Sequence, residues 1–143
     1  MRSYLIVANQ TLASPTLAEA VRERLAEGPG RFHVVVPATP VQHGLTWDER
    51  EAESAAQERL DGMLAWLREL GAEASGEVGN KDPVAAAQDA LRGNPADEIV
   101  LSTLPPGISR WLGQDVPSRL KGSVSIPVAV VTAPREAAPT AGG

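Results

Sequence analysis

The sequence contains no cysteine. That excludes disulfides, thiolate metal sites and a cysteine nucleophile, and it suits a reducing compartment. Aromatic residues make up only 3% of the chain, too few for the stacking platforms that hold single-stranded nucleic acid. Basic residues are scattered and the formal net charge is −5, so the positive footprint of a DNA-binding protein is missing. Nothing approaches the roughly eighteen apolar residues that suggest a membrane helix. The start, Met1-Arg2-Ser3, enters an apolar strand within a few residues and carries no long secretory h-region. These absences predict a cytoplasmic protein that binds neither nucleic acid nor membrane.

What is present is ordinary globular material. The chain has 143 residues, 43% hydrophobic and 22% charged, the size of one domain. A fold of this size buries roughly 68–70% of its unfolded surface, enough for one core without staples. Residues 4–8 form a short unalternating apolar run, which suits a strand buried on both faces. Ser14-Pro15 reads as an N-cap with proline in the first turn, and Leu17, Val21 and Leu25 lie on one helical face. Residues 32–36 are a second buried strand, and residues 37–45 read as a loop. Thr46 and Glu49 fit a capping box for a long helix carrying Ala56, Leu60 and Leu67. Gly71 is its expected stop. Residues 72–78 alternate and are more polar, as an edge strand does. Asp82-Pro83 opens a helix through Val84, Ala87 and Leu91. Residues 99–101 make a fourth strand, and residues 102–107 a polar loop. Helical turns are expected near residues 108–112 and 117–120, before a last strand at 128–131.

Strands alternating with helices imply right-handed crossovers and a parallel sheet. The expectation is an α/β, doubly wound, five-stranded parallel sheet of order 3-2-1-4-5, with helices on both faces. The domain spans residues 1–132, and residues 133–143 lack an apolar pattern and read as a disordered tail. In such a sheet a ligand sits beyond the strand carboxyl ends where the order reverses, between the first and fourth strands. Asn9, Gln10 and Thr11 flank that crevice on one side. Leu101, Ser102, Thr103 and Gly107 flank it on the other, leading towards Ser109 and Arg110. Amides, hydroxyls and one arginine at a helix start suit a phosphate. The same residue types also serve as plain caps and turns.

The second half carries a family pattern. Val78-Gly79-Asn80-Lys81-Asp82-Pro83 precedes a helix. Asp97-Glu98-Ile99-Val100-Leu101-Ser102 follows, and Gly113 stands ahead of Ile126-Pro127-Val128-Ala129-Val130-Val131. In this order the chain resembles the universal stress protein family over residues 3 to 132. The resemblance implies an adenine nucleotide such as ATP as the ligand, with Asn9 in place of the acidic residue that contacts the nucleoside. It makes Val36 a base contact. It also implies a glycine-rich phosphate loop after the fourth strand. Here that loop departs from the pattern: Ser102 takes the first glycine's place and Pro105 the second's. The next glycines are Gly107 and Gly113, and Gly113 is followed by Gln114. Prolines remove amide donors from a phosphate cradle.

The last strand is an edge in this order, yet Val128, Ala129, Val130 and Val131 are apolar with no guarding lysine. Such an edge pairs with another chain or is covered by the tail folding back. The family resemblance implies a homodimer through it. His33, inside an apolar strand, reads as structural. His43 has no second histidine or clustered carboxylates near it in sequence, so no metal site is expected. No Walker loop and no serine–histidine–aspartate set is legible. No general base stands beside the Ser/Thr loop. The function these readings favour is a non-catalytic stress-response or regulatory binding module with a modified nucleotide-type pocket. The alternatives are a nucleotide-hydrolysing enzyme on the same scaffold and a pure protein-interaction domain.

Overall fold

The computed structural model of the protein describes residues 1–8, 14–38, 41–43, 46–103 and 115–133. In chain order the elements are β1 (Arg2–Ala8), α1 (Pro15–Ala26), β2 (Gly30–Pro37), β3 (Val41–His43), β4 (Thr46–Asp48) and α2 (Glu49–Glu69). They continue with β5 (Glu73–Gly79), α3 (Pro83–Gly93), β6 (Glu98–Thr103), α4 (Val116–Ser123) and β7 (Val128–Thr132). Five strands form one parallel sheet in the order β5-β2-β1-β6-β7. Numbered among themselves, these strands run 3-2-1-4-5, as the sequence predicts.

Alternation along the central strands divides their side chains between two cores. Ile6, Val34 and Val100 pack with Leu17 and Val21 of α1 and with Leu60, Met63 and Leu67 of α2. On the opposite face, Leu5, Val7, Val35, Ile99 and Leu101 pack with Val84 and Ala87 of α3 and Leu120 of α4. Helices on both faces explain why β1 and β2 read as unbroken apolar runs. The edge strand β5 keeps Glu73 and Ser75 exposed.

Local signals set most of the helix ends. Ser14 caps α1, its Oγ accepting from Leu17 N at 3.2 Å, and Asp82 caps α3, its Oδ2 accepting from Ala85 N at 3.3 Å. Gly71 follows α2 with φ of 92°, the left-handed conformation that glycine adopts without strain.

Three boundaries differ from the sequence reading. Residues 41–43 and 46–48 form an antiparallel hairpin, β3 with β4, rather than a plain loop. The long helix therefore begins at Glu49, and Thr46 lies in a strand instead of capping a helix. Valine, threonine and tryptophan favour strands, and the backbone pairing of Val41 with Asp48 and of His43 with Thr46 makes this segment a hairpin. Finally, β6 extends through Ser102 and Thr103, which the sequence reading assigned to the loop, because β1 and β7 both continue the ladder beside them.

Candidate functional site

The order of the sheet reverses between β1 and β6, the position where ligands bind in doubly wound folds. Ala8 ends β1 opposite Ser102, and Thr103 ends β6 opposite Thr132 of β7. The carboxyl end of the sheet thus collects hydroxyl groups. Thr103 Oγ1 donates to Thr132 Oγ1 at 3.4 Å, and Ala133 N donates to Thr103 O at 2.8 Å. The start of α1 closes on the same end. Thr16 Oγ1 donates to the Thr132 carbonyl at 3.0 Å and lies 3.3 Å from Ser14 Oγ. Ser102 and Thr103 are each 0% exposed, whereas Thr16 and Thr132 are half-buried.

Helix starts add to this end. The N-termini of α1 and α3 follow strand carboxyl ends, so their free amides and positive dipole ends are directed there. On the far face, Asp82 Oδ1 accepts from Arg119 Nη2 of α4 at 3.3 Å, tying α3 to α4. Among the described residues, no group of three histidine, cysteine, aspartate or glutamate side chains is placed to hold a metal. Among the same residues, no helix is long and apolar enough to cross a membrane.

Of the residues expected at the site, Ser102 and Thr103 close β6 at the carboxyl end of the sheet, Ser102 opposite Ala8 of β1. Val36 and Leu101 are 1% and 0% exposed, and their side chains belong to the two cores on opposite faces. Asn9, Gln10, Thr11, Gly107, Ser109, Arg110, Gly113 and Gln114 lie outside the described residues, as do the turn expected at 108–112 and the tail from residue 134. Sequence reasoning overlooked Thr16 and Thr132 and saw Ser14 as a cap alone. The signal for Thr132 was a threonine closing an apolar strand, but its partner Thr103 is 29 positions away and is found through strand register.

Comparison with known proteins bears on the fold. No family model and no curated protein matches the chain. Solved structures do. A universal stress protein from Archaeoglobus fulgidus superposes with a TM-score of 0.60 at 20% identity, covering 92% of this chain and 93% of its own. A universal stress protein family member from Burkholderia pseudomallei gives 0.55 at 20% identity, over 91% and 96% of the two chains. A third, from Arabidopsis thaliana and with AMP bound, gives 0.56 at 12% identity, over 93% of each. The sheet order, the two helical layers and these superpositions agree: the chain has the universal stress protein fold.

Proposed function

We propose that this protein is a stress-response or regulatory binding module of the universal stress protein family, without turnover. Its ligand, of adenine-nucleotide type, seats at the carboxyl end of the sheet between β1 and β6. The observation that carries this reading is the hydroxyl set at the carboxyl end of the sheet: Ser102 pairs with Ala8 at the switch point, and Thr103, Thr132 and Thr16 continue the set along β6 and β7. Hydroxyls both donate and accept, which suits ribose and phosphate oxygens. The half-buried Thr16 and Thr132 are the hydroxyls a ligand meets first. Asn9, Ser109 and Arg110 complete the site in this proposal, with Arg110 supplying positive charge for a phosphate. A superposable fold with AMP bound in Arabidopsis thaliana supports the choice of ligand class. Among the described residues β7 is an apolar edge strand with Val130 37% exposed, which supports a homodimer in the same reading.

The test is a thermal-shift series with AMP, ATP and cyclic nucleotides. A ligand at a hundred times its Kd adds about 2.7 kcal/mol of stability. Each kcal/mol raises Tm by roughly 2–4 °C for a chain of this size. The expected result is a rise with at least one nucleotide that is lost in Arg110→Ala and Ser102→Ala. No rise with any nucleotide at millimolar concentration refutes the proposal.

A further inference from the structure

A second polar constellation lies away from the crevice, where β2, β5 and the C-terminus of α3 meet. His33 of β2 is 9% exposed. Strand register pairs His33 with Ser75 and Val35 with Glu77. Alternation along β5 therefore puts Ser75 and Glu77 on one face, flanking the imidazole. His33 Nδ1 lies 2.9 Å from Ser75 Oγ, and Nε2 lies 2.7 Å from Glu77 Oε2. Asn94, beyond the end of α3, brings its side-chain nitrogen to 3.3 Å from Nε2. The sequence reading treated His33 as structural and found no serine–histidine–carboxylate set. The partners are 42 and 44 positions from His33, so no local motif connects them.

The proton positions follow from the partners. An ionised carboxylate only accepts, so in the neutral ring Nε2 carries the hydrogen and donates it to Glu77 at 2.7 Å; the Asn94 amide nitrogen, itself only a donor, then makes no hydrogen bond to that Nε2–H. Nδ1 then holds the lone pair, and Ser75 Oγ donates to it. This is the nucleophile–base–orienter chain that activates a serine. Ser75 itself is exposed, so an incoming reagent reaches it. Beside the ring is a cavity of about 150 Å³ lined by Ser3, Tyr4, Arg31, His33 and Asn94 among others. Ser75 does not line it, so the acyl group taken up by Ser75 faces the open edge of β5 rather than this cavity.

We propose that Ser75 is a nucleophilic serine, a site of covalent acylation by activated acyl esters. Ser75 Oγ attacks the acyl carbonyl carbon while His33 Nδ1 takes the hydroxyl proton. The new Oγ–C bond forms and the bond to the leaving alkoxide or phenoxide breaks. The proton then passes from Nδ1 to the departing oxygen, so the imidazole ends neutral. Nothing is oxidised or reduced. Glu77 is a positioning residue: it holds the ring and offsets the imidazolium charge that develops during the step. Because Ser75 stands on an edge strand open to water, the chemistry is a single acyl transfer onto the protein. Efficient turnover calls for a closed, water-excluded site. This keeps the inference separate from nucleotide binding at the other end of the sheet.

The test incubates the full chain with p-nitrophenyl acetate, follows p-nitrophenolate release and maps the acetyl group by peptide mass spectrometry. Stoichiometric acetylation of Ser75 is expected, and Ser75→Ala abolishes it. His33→Gln slows labelling by about 100-fold or more, the usual contribution of a general base. Glu77 is half-exposed, so Glu77→Gln keeps the fold even where a His33 variant does not. It slows labelling, while Glu77→Asp, which retains the charge, recovers most of the rate. Acetylation confined to lysines or the N-terminus refutes the proposal. So does labelling of Ser75 at an unchanged rate in Glu77→Gln.

Discussion

Gly76 sits in β5 directly under α2, and adding one methyl group there measures how closely the two elements are packed. A Cβ at this position would stand 2.4 Å from Leu60 Cδ1 and 2.8 Å from the Val34 carbonyl oxygen. Carbon atoms prefer separations of about 3.5–4.0 Å, so the Leu60 contact is short by more than about 1 Å. Neither neighbour yields easily. Leu60 is 2% exposed within the core, and the Val34 oxygen belongs to the backbone of a central strand. Overpacking of this kind costs typically about 1–3 kcal/mol. Gly→Ala returns about 0.4–1 kcal/mol by restricting the unfolded chain. The expected net loss for Gly76→Ala is therefore about 1–2 kcal/mol. At roughly 2–4 °C per kcal/mol, Tm falls by roughly 2–8 °C. Urea denaturation followed by circular dichroism measures the loss as a lower midpoint with an unchanged slope. Gly93→Ala, at the end of α3, is the control, because no atom of the described residues lies within 4 Å of the added carbon. It should leave stability unchanged or slightly raised. In a double-mutant cycle, Leu60→Ala should cost less in the Gly76→Ala background than alone. A Gly76→Ala protein as stable as Gly93→Ala would refute the close approach of α2 to β5.

Two further predictions concern the ion pair at the base of the sheet and the edge of β7. Arg24 donates from Nε and Nη2 to the two oxygens of Glu98 at 2.9 and 2.8 Å, and the two side chains are 15% and 19% exposed. The hydrogen bond to Glu98 holds the Arg24 guanidinium above its ordinary pKa despite the opposing effect of burial. Glu98→Gln should cost about 2 kcal/mol in urea melts, between the small value of a surface pair and the larger value of a buried one. Val130 is 37% exposed on β7, and Val130→Lys should convert the proposed dimer to a monomer. Light scattering after size exclusion reads this as a halved mass. A wild-type protein that is already monomeric at micromolar concentration removes the dimer.

Most of the architecture is legible locally. The apolar runs at residues 4–8 and 32–36 announce buried strands because helices cover both of their faces. The proline-bearing caps at Ser14 and Asp82 mark true helix starts, since each side chain satisfies an amide of its own first turn. The hairpin at residues 41–43 and 46–48 was less legible: a three-residue strand has too few positions to show a period, and the Thr46–Glu49 spacing also spells a capping box. At the site, Ser102 and Thr103 were visible as polar residues closing an apolar strand. Thr132 and Thr16 were not, because their roles come from partners 29 and 116 positions away.

Composition and patterning alone therefore determined the class of this protein: an α/β fold from a sequence without cysteine. Those properties depend on residue type and on near neighbours in sequence, which a single chain displays directly. Only the tertiary structure decided which polar residues meet. Register between parallel strands joins Thr103 to Thr132 and sets Ser75 and Glu77 around His33, and register depends on packing of the whole sheet. An absent serine–histidine–carboxylate motif in the sequence thus proved compatible with such a constellation in space. Parallel strands are joined only by long crossovers, so neighbours in the sheet are distant in the chain.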